Sequence, residues 1–196
     1  MSNTTYIALF CSGSGSNAEK IIEYFKNRQD IRVKILLANN PKAYALTRAE
    51  NLGVRTRVFT KEEFYQTANI VEFLKSEGIS WVVLAGFLWL IPKNLIAAYP
   101  NNIINIHPAL LPKYGGKGMY GRFVHEAVVN SQDKESGITI HLVNENYDEG
   151  KILFQARCPI LPSDSPEGVA KKVLSLEHLH FPEVIDKTIR NSLPNL

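Results

Sequence analysis

Short apolar runs alternate with helix-type segments through the first half of the chain. Residues 6–10 are apolar, residues 11–17 are small and polar, and Ile21, Ile22 and Phe25 then recur at intervals of three or four positions. A continuous apolar run is typical of a buried strand, and the later spacing is typical of one face of a helix. The pattern therefore predicts a strand, a tight loop and a helix.

This alternation is repeated as far as residue 106. Further strands are predicted at 33–38, 54–58, 81–85 and 103–106, and further helices at 43–52, 62–77 and 94–98. The run at 81–85 is apolar at every position, as a strand must be when both faces of its sheet are covered. Repeated strand–helix units predict a parallel sheet with helices on both faces.

The second half of the chain changes character after a loop at 113–121 that is rich in glycine and lysine. A helix is predicted at 123–129, and two strands at 138–143 and 151–158 are separated by only a short polar segment. Strands this close in the chain form antiparallel pairs. With a final helix after Pro166, the predicted fold is α/β: a Rossmann-like, mostly parallel sheet with an antiparallel C-terminal strand pair.

Length and composition favour a single globular domain spanning residues 1–196. The chain is 45% apolar and 21% charged, with a net charge of +3, which excludes collagen-like and disordered chains. Its charges form no basic cluster, so neither nucleic acid nor an anionic membrane is expected as a partner. Two cysteines favour the reducing cytoplasm, and no apolar stretch reaches the about 18–20 residues of a membrane span.

The loop between the first predicted strand and helix is a candidate anion site. Residues 12–17 read Ser-Gly-Ser-Gly-Ser-Asn, and backbone N–H groups at the start of a helix favour a phosphate. The same glycines, with Ala18, satisfy the G-x-G-x-x-[G/A] dinucleotide fingerprint, but Asn39 and Asn40 stand where that site requires an acid. A small phosphate monoester, a dinucleotide and a merely tight turn are all left open.

Asn105 and His107 are the candidate catalytic pair. They lie at the carboxyl end of the fifth predicted strand, where open α/β sheets bind ligands, and alternate strand positions face the same side. An amide and an imidazole on one side of a strand are suited to stabilising negative charge on an oxygen. The alternative is that Asn105 caps the strand and that Pro108 holds His107 in an ordinary turn.

Asp148, between the last two predicted strands, is the carboxylate suited to pair with His107. Such a partner within about 4–6 Å raises the pKa of a histidine by roughly 1–3 units, which would keep the imidazolium populated near neutral pH. The alternative is a solvated turn residue. His141 shares a strand face with Thr139, and whether it lines the same cavity or only packs is left open.

Other types of chemistry find little support in the sequence. No set of His, Cys and carboxylate residues has zinc-type spacing, and no G-x-S-x-G motif indicates a serine hydrolase. His125, His178 and His180 lie on predicted helices and are interpreted as structural or surface residues. We therefore expect acid–base and electrostatic catalysis without a metal or a covalent nucleophile.

Several motifs occur together in an order that is known from one family. They are residues 12–17, Ala85-Gly86-Phe87, Asn105-Ile106-His107-Pro108, Leu110-Leu111-Pro112, Asp148 and Glu177-His178. Across essentially its whole length the chain resembles the phosphoribosylglycinamide formyltransferases, a branch of the folate-dependent formyltransferase family. The resemblance implies transfer of the formyl group of 10-formyltetrahydrofolate to the amine of 5-phosphoribosylglycinamide, giving formylglycinamide ribonucleotide and tetrahydrofolate in purine biosynthesis, with no metal.

The resemblance also implies a role for each site residue. Asn105, His107 and Asp148 would be catalytic. The residues that would bind the phosphoribosyl substrate are Gly15, Ser16, Asn17, Ala18 and Glu19 at the phosphate, and Glu177 at the ribose and glycinamide end. The residues that would bind the folate are Lys61, Leu88, Trp89, Leu90, Ile91, Asn105, Asn144, Glu145, Asn146, Tyr147 and Asp148.

The chain departs from the family pattern at two folate positions. The family often has Met-Arg where Leu88-Trp89 stands, and arginine where Lys61 stands. Because the family contacts the pterin largely through backbone groups, the resemblance implies that the reaction is preserved.

The catalytic motifs are shared by the wider formyltransferase group and do not identify the acceptor. Another folate-dependent formyltransferase or a formyltetrahydrofolate deformylase is the alternative, and a dinucleotide-binding oxidoreductase is a more distant one. Neither the C-terminal domain of methionyl-tRNA formyltransferases nor the N-terminal regulatory domain of deformylases is expected. We expect a monomer or homodimer that acts on small molecules.

Overall fold

The computed structural model describes residues 4–192, and the chain divides into two compact units. The first unit ends at Ile104 and the second begins at Asn105. The boundary falls inside the strand Ile103–His107. That residues 1–196 act as a single domain remains a prediction.

The first unit is built from repeated strand–helix pairs. Its strands are β1 (Thr5–Cys11), β2 (Ile31–Ala38), β3 (Arg55–Val58) and β4 (Ile79–Leu84), and its helices are α1 (Ser16–Phe25), α2 (Tyr44–Asn51), α3 (Lys61–Tyr65), α4 (Asn69–Ser76) and α5 (Lys93–Ala98). β1 pairs in parallel with both β2 and β4, and β2 pairs in parallel with β3. The side chains of β1 from Ile7 to Cys11 are fully buried, which explains why every one of these positions is apolar.

The second unit begins at Asn105, within β5 (Ile103–His107). Its other elements are α6 (Arg122–Asn130), β6 (Glu135–Leu142), β7 (Ile152–Pro159) and α7 (Pro166–Ser192). β6 and β7 pair antiparallel, with Thr139 opposite Gln155. The strand order is β3-β2-β1-β4-β5-β6-β7, so the predicted Rossmann-like, mostly parallel sheet with an antiparallel C-terminal pair is confirmed.

The single helix predicted at 62–77 is wrong, because the chain forms two helices there. α3 ends at Tyr65 and α4 begins at Asn69. Between them, the Thr67 hydroxyl donates to the Glu63 carbonyl (3.0 Å) and accepts from the Asn69 N–H (3.2 Å). A threonine side chain that bonds to nearby backbone groups competes with the helical hydrogen bonds, so the helix is interrupted despite its continuous apolar spacing.

A cluster of aromatic rings fills part of the first unit. Phe10 is 0% exposed, Phe59 2% and Phe64 1%. The Phe87 ring lies 5.5 Å from the ring of Phe10, and the Trp89 ring lies 5.8 Å from that of Phe64. Aromatic pairs at these separations add to the free energy of burial, so the segment that follows β4 is held firmly against this core.

The longest helix is α7, with 27 residues. Val169, Val173, Phe181 and Ile185 are buried on it, and their spacing is the helical one that the sequence shows after Pro166. Among the helices of residues 4–192, none combines the length and the apolar character that crossing a membrane requires.

Candidate active site

Asn105 and His107 lie at the end of β5, two positions apart, as predicted. They therefore face the same side of the strand. The His107 side chain is 4% exposed, whereas Asn105 is partly exposed. Donors at both positions can act on one atom that approaches this end of the strand.

Asp148 is brought to the same place by the segment between β6 and β7. Its Oδ2 atom lies 3.6 Å from His107 Nδ1 and accepts a hydrogen bond of 2.9 Å from the Gly116 N–H. The backbone of Asp148 is left-handed, with φ +56°, a conformation that aspartate tolerates better than most residues. The structure therefore brings Asn105, His107 and Asp148 together.

The second ring nitrogen of His107 is bonded within the protein. Its Nε2 atom lies 2.7 Å from the carbonyl oxygen of Tyr114, and a carbonyl oxygen only accepts, so Nε2 carries a hydrogen. Tyr114 belongs to the glycine-rich loop and has a left-handed backbone with φ +55°. No pattern in the sequence indicates that this carbonyl reaches His107.

The protonation of His107 differs from the expectation. Burial holds its pKa below the ordinary value of 6.5, although the charge of Asp148 and the bond to Tyr114 act in the opposite direction. Removing an imidazolium from water costs more than the carboxylate at 3.6 Å returns. The uncharged imidazole is therefore the main form of His107 at neutral pH.

The pKa of Asp148 lies below the ordinary value of 3.8. Burial alone would raise it, but the two histidine rings 3.6 Å away and the hydrogen bond from the Gly116 N–H together outweigh burial. Hydrogen bonds and positive charge both favour the ionised form of a carboxyl group. Asp148 is therefore a carboxylate at neutral pH.

His141 belongs to the same cluster, although the sequence left its role open. Its side chain is 2% exposed on β6, and its Nε2 atom lies 3.1 Å from Asn105 Nδ2 and 3.6 Å from Asp148 Oδ1. Its Nδ1 atom lies 2.9 Å from the carbonyl oxygen of Leu142. The alternation of side chains along β6 places His141 and Thr139 on one face, and this is the sequence pattern that could have indicated the position of His141.

Thr139 holds the backbone that follows β5. Its hydroxyl donates to the Ala109 carbonyl (2.7 Å) and accepts from the Leu111 N–H (3.0 Å) and from Gln155 Nε2 (2.9 Å). Thr139 is 0% exposed, so water cannot replace these bonds.

We expect Thr139→Val to lower the free energy of unfolding by at least about 1–3 kcal/mol, because the nearly isosteric side chain leaves buried backbone groups without partners. Urea unfolding of the two proteins measures the difference. Thr56→Val is the control, since the Thr56 hydroxyl donates to Glu50 in an exposed pair. Equal effects of the two substitutions would contradict this role of Thr139.

The predicted anion loop precedes α1 and is supported by α2. Gly15 is left-handed, with φ +74°, and the Ala45 N–H donates to the Gly13 carbonyl (3.1 Å). Arg48 Nε donates to the Ser14 carbonyl (3.1 Å), and the Arg48 guanidinium forms an ion pair with Glu19. Arg48 was not predicted, because nothing in its spacing links it to this loop.

The close approach of Gly15 to α2 leads to a second prediction. A Cβ atom at Gly15 would lie 2.4 Å from Ala45 Cβ, whereas one at Gly13 meets nothing within 4 Å. Gly15→Ala should therefore destabilise the protein by about 1–3 kcal/mol and weaken anion binding, because the loop must move away from the helix. Thermal unfolding and titration with inorganic phosphate measure the two effects. Gly13→Ala is the control. Equal stability and equal phosphate affinity of the two variants would contradict the role of Gly15.

The folate-binding residues predicted in the first unit differ in exposure. Leu88 is 52% exposed, whereas Ile91 is 4% exposed. The Trp89 ring packs against Phe59, Phe64, Tyr65 and Phe87, and the Leu90 carbonyl accepts from the Tyr65 hydroxyl (3.0 Å). Lys61 is exposed at the start of α3. The Leu88 side chain is thus exposed, whereas the side chains of Trp89 and Ile91 pack within the protein.

The remaining predicted residues lie in the second unit. The segment before Asp148 is held by Asn144 Oδ1, which accepts from the Asn146 N–H (3.0 Å), and by Asn146 Nδ2, which donates to Glu149 (2.8 Å). Tyr147 is 39% exposed. Glu145 lies within the same segment. Glu177 is buried on α7, with 8% exposure.

Within residues 4–192, no group of three or more His, Cys, Asp or Glu side chains is arranged to hold a metal ion. The cluster of Asn105, His107, His141 and Asp148 supplies hydrogen-bond donors and one carboxylate. Such a set can stabilise an oxyanion and move a proton.

Comparisons with known proteins agree with this chemistry. The formyl transferase family matches residues 5–185. A chloroplastic phosphoribosylglycinamide formyltransferase of Arabidopsis thaliana is 42% identical over 185 residues, which cover 91% of this chain and 63% of that protein. The phosphoribosylglycinamide formyltransferase of Haemophilus influenzae is 35% identical, with 91% of this chain and 84% of that protein covered. The chain thus spans less than two thirds of the plant protein.

One solved structure shows how far the likeness extends in three dimensions. It is the crystal structure of glycinamide ribonucleotide transformylase 1 from Symbiobacterium toebii, with a TM-score of 0.88 and 31% identity. The superposition covers 98% of this chain and 91% of that one. The family match, the identities and this structural agreement lead to one conclusion: the chain belongs to the formyl transferase family.

Proposed function

We propose that this protein is a phosphoribosylglycinamide formyltransferase. It transfers the formyl group of 10-formyltetrahydrofolate to the amine of 5-phosphoribosylglycinamide, giving formylglycinamide ribonucleotide and tetrahydrofolate in purine biosynthesis. The observation that carries the proposal is the convergence of Asn105, His107 and Asp148 at the end of β5, in a chain whose relatives bear this name.

The reaction begins when the neutral amine attacks the formyl carbon. A carbon–nitrogen bond forms, and the electron pair of the carbonyl bond moves to the formyl oxygen. Asn105 and His107 donate hydrogen bonds to that oxygen. Each donor of this kind is worth about 2.7–4 kcal/mol in the transition state, because it is already oriented before the charge develops.

His107 Nε2 becomes the donor to the formyl oxygen when it exchanges the Tyr114 carbonyl for the substrate. The negative charge on the oxygen then favours the imidazolium form of His107, which burial disfavours in the free protein. Asp148, already a carboxylate, stabilises that imidazolium through Nδ1 at 3.6 Å. His107 thus acts most strongly where it is needed, in the transition state.

The intermediate collapses when the bond between the formyl carbon and N10 of the folate breaks. The attacking amine loses a proton, and the leaving nitrogen gains one. Asp148 and His107 relay this proton, through water where the distance requires it. Atoms and charge balance without a metal or an added oxidant.

We further propose the binding roles that the family resemblance implies. Gly15, Ser16, Asn17, Ala18 and Glu19 hold the substrate phosphate at the start of α1, where backbone N–H groups favour an anion. Glu177 binds the ribose and glycinamide end. The folate binds Lys61, the segment 88–91, and the segment 144–148 beside Asn105.

A dinucleotide-dependent oxidoreductase is less well supported. β2 ends at Ala38 and is followed by Asn39 and Asn40, so the carboxylate that holds a ribose hydroxyl in such enzymes is missing from its usual place. A formyltetrahydrofolate deformylase uses the same catalytic cluster and is the alternative that an experiment must separate.

The proposal predicts one defined product. Folate labelled with ¹³C in the formyl group is incubated with the protein and 5-phosphoribosylglycinamide, and the products are identified by mass spectrometry. The label should appear in formylglycinamide ribonucleotide. Label found only in formate would support a deformylase and overturn the proposed acceptor.

We also propose that the protein acts in the cytoplasm as a monomer or homodimer, with small molecules rather than nucleic acid or membranes as partners. The net charge of +3 and the absence of a basic cluster in the sequence support this proposal. Gel filtration measures the oligomeric state, and binding of the protein to DNA or to anionic vesicles would contradict the proposed partners.

A further inference from the structure

His141 lies beside two of the groups that the proposed reaction uses. Its Nε2 atom lies 3.1 Å from Asn105 Nδ2 and 3.6 Å from Asp148 Oδ1, and its side chain is 2% exposed. The reaction written above gives it no role. A buried histidine in contact with two catalytic side chains requires an explanation.

The Leu142 carbonyl determines which ring nitrogen of His141 carries hydrogen. Nδ1 lies 2.9 Å from that oxygen, and a carbonyl oxygen accepts but never donates. Nδ1 therefore carries a hydrogen. In the neutral ring, Nε2 is then left with a lone pair and acts only as an acceptor.

Asn105 provides the donor for this lone pair. Its Nδ2 atom lies 3.1 Å from His141 Nε2, a normal distance for a hydrogen bond between two nitrogen atoms. The amide oxygen could not take this place, because two acceptors would then face each other. The bond therefore defines which end of the Asn105 amide lies beside the histidine.

We propose that His141 is a positioning residue that fixes the orientation of the Asn105 amide, so that Nδ2 offers its second N–H to the reacting carbonyl oxygen. This inference rests on the proposed function for its catalytic meaning. A reversed amide would bring its oxygen toward the developing oxyanion and replace a hydrogen bond by repulsion. The Leu142 carbonyl thus sets the tautomer of His141, and His141 in turn orients the Asn105 amide.

Asp148 also faces His141, and its carboxylate is charged. Its Oδ1 atom is 3.6 Å from His141 Nε2, and its Oδ2 atom is 3.6 Å from His107 Nδ1. The two oxygens of one carboxylate therefore lie beside both histidine rings.

Two substitutions separate this role from simple packing. In His141→Asn, the side-chain N–H can still reach the Leu142 carbonyl, but no atom stands at the Nε2 position. In His141→Gln, the longer side chain can place its carbonyl oxygen near that position and accept from Asn105. Urea unfolding of both variants shows whether either has merely lost stability.

We expect the two variants to differ in kcat. His141→Asn should lower kcat for formyl transfer by about 10²-fold, close to the loss of one oxyanion donor, with KM for the ribonucleotide little changed. His141→Gln should recover most of this loss. Equal losses of kcat in both variants, or no loss in His141→Asn, would overturn the proposal.

A second readout needs no substrate. In ¹⁵N-labelled protein, the bond from Asn105 to His141 gives a scalar coupling between Asn105 Nδ2 and His141 Nε2, which NMR detects directly. We expect the coupling in the wild-type protein, and its absence there would overturn the inference. If the wild-type protein fails to formylate the ribonucleotide but shows the coupling, the proposed function fails while the positioning of Asn105 stands.

Discussion

Replacing His107 with alanine should lower kcat for formyl transfer by about 10²–10³-fold, which is about 2.7–4 kcal/mol of lost transition-state stabilisation. The substitution removes the Nε2–H that we propose for the formyl oxygen and the ring that Asp148 faces at 3.6 Å. KM for the ribonucleotide should change little, because His107 is not among the residues proposed to bind the phosphate or the ribose. Steady-state kinetics, with the concentrations of both substrates varied, measures kcat and KM separately.

The matched control for this substitution is His180→Ala. His180 lies on α7 in the same unit, and its ring packs at a tilt against Phe154, with the centroids 4.9 Å apart. Loss of this contact can cost stability but removes no donor from the proposed catalytic cluster. A decrease of kcat as large in His180→Ala as in His107→Ala would show that the loss comes from damage to the fold.

Asp148→Asn should have the second largest effect, and it should act through His107. The carboxylate raises the pKa of His107 against the stronger effect of burial. Without that charge, the pKa of His107 should fall further, by about 1–3 pH units. The imidazolium is then harder to form in the transition state, because each pH unit by which the pKa falls costs about 1.4 kcal/mol. We therefore expect kcat to fall by about 10²-fold or more.

NMR titration of His107 measures this effect without substrate. Asparagine tolerates the left-handed backbone of position 148 almost as well as aspartate, so the loop should keep its conformation. Asp164→Asn is the control, because the Asp164 carboxylate pairs with Lys172. An unchanged or higher pKa of His107 in Asp148→Asn would contradict the proposed pairing.

The pKa of Asp148 also makes a contribution to stability with a definite sign. Because the folded value lies below the ordinary 3.8, the ionised carboxylate favours the folded state, and this contribution is present above the unfolded pKa. It is lost as the pH falls through the folded pKa. The stability difference between wild type and Asp148→Asn should therefore become smaller on acidification.

The fold was largely predictable because its signals are local. Every strand of the first unit was expected within a few residues, since apolar runs such as Ile7–Phe10 are required by burial on both faces. The break between α3 and α4 was missed because it depends on the Thr67 hydroxyl bonding to nearby backbone. Apolar spacing carries no information about that competition.

The candidate catalytic cluster was predictable only in part. Strand alternation gave Asn105 and His107 one face, and the position of Asp148 between the last two predicted strands indicated it as the partner of His107. The contacts of His141 and Tyr114 depend on how separate segments of the second unit fold together, and no local pattern encodes them. The direction of the His107 pKa shift was expected wrongly for the same reason, because burial is a property of the folded chain.

The most direct test of the account is the absorbance change on deformylation of 10-formyltetrahydrofolate, measured with and without 5-phosphoribosylglycinamide. We expect turnover that requires the ribonucleotide and falls by about 10²–10³-fold in His107→Ala. Equal turnover without the ribonucleotide, or full activity in His107→Ala, would contradict it.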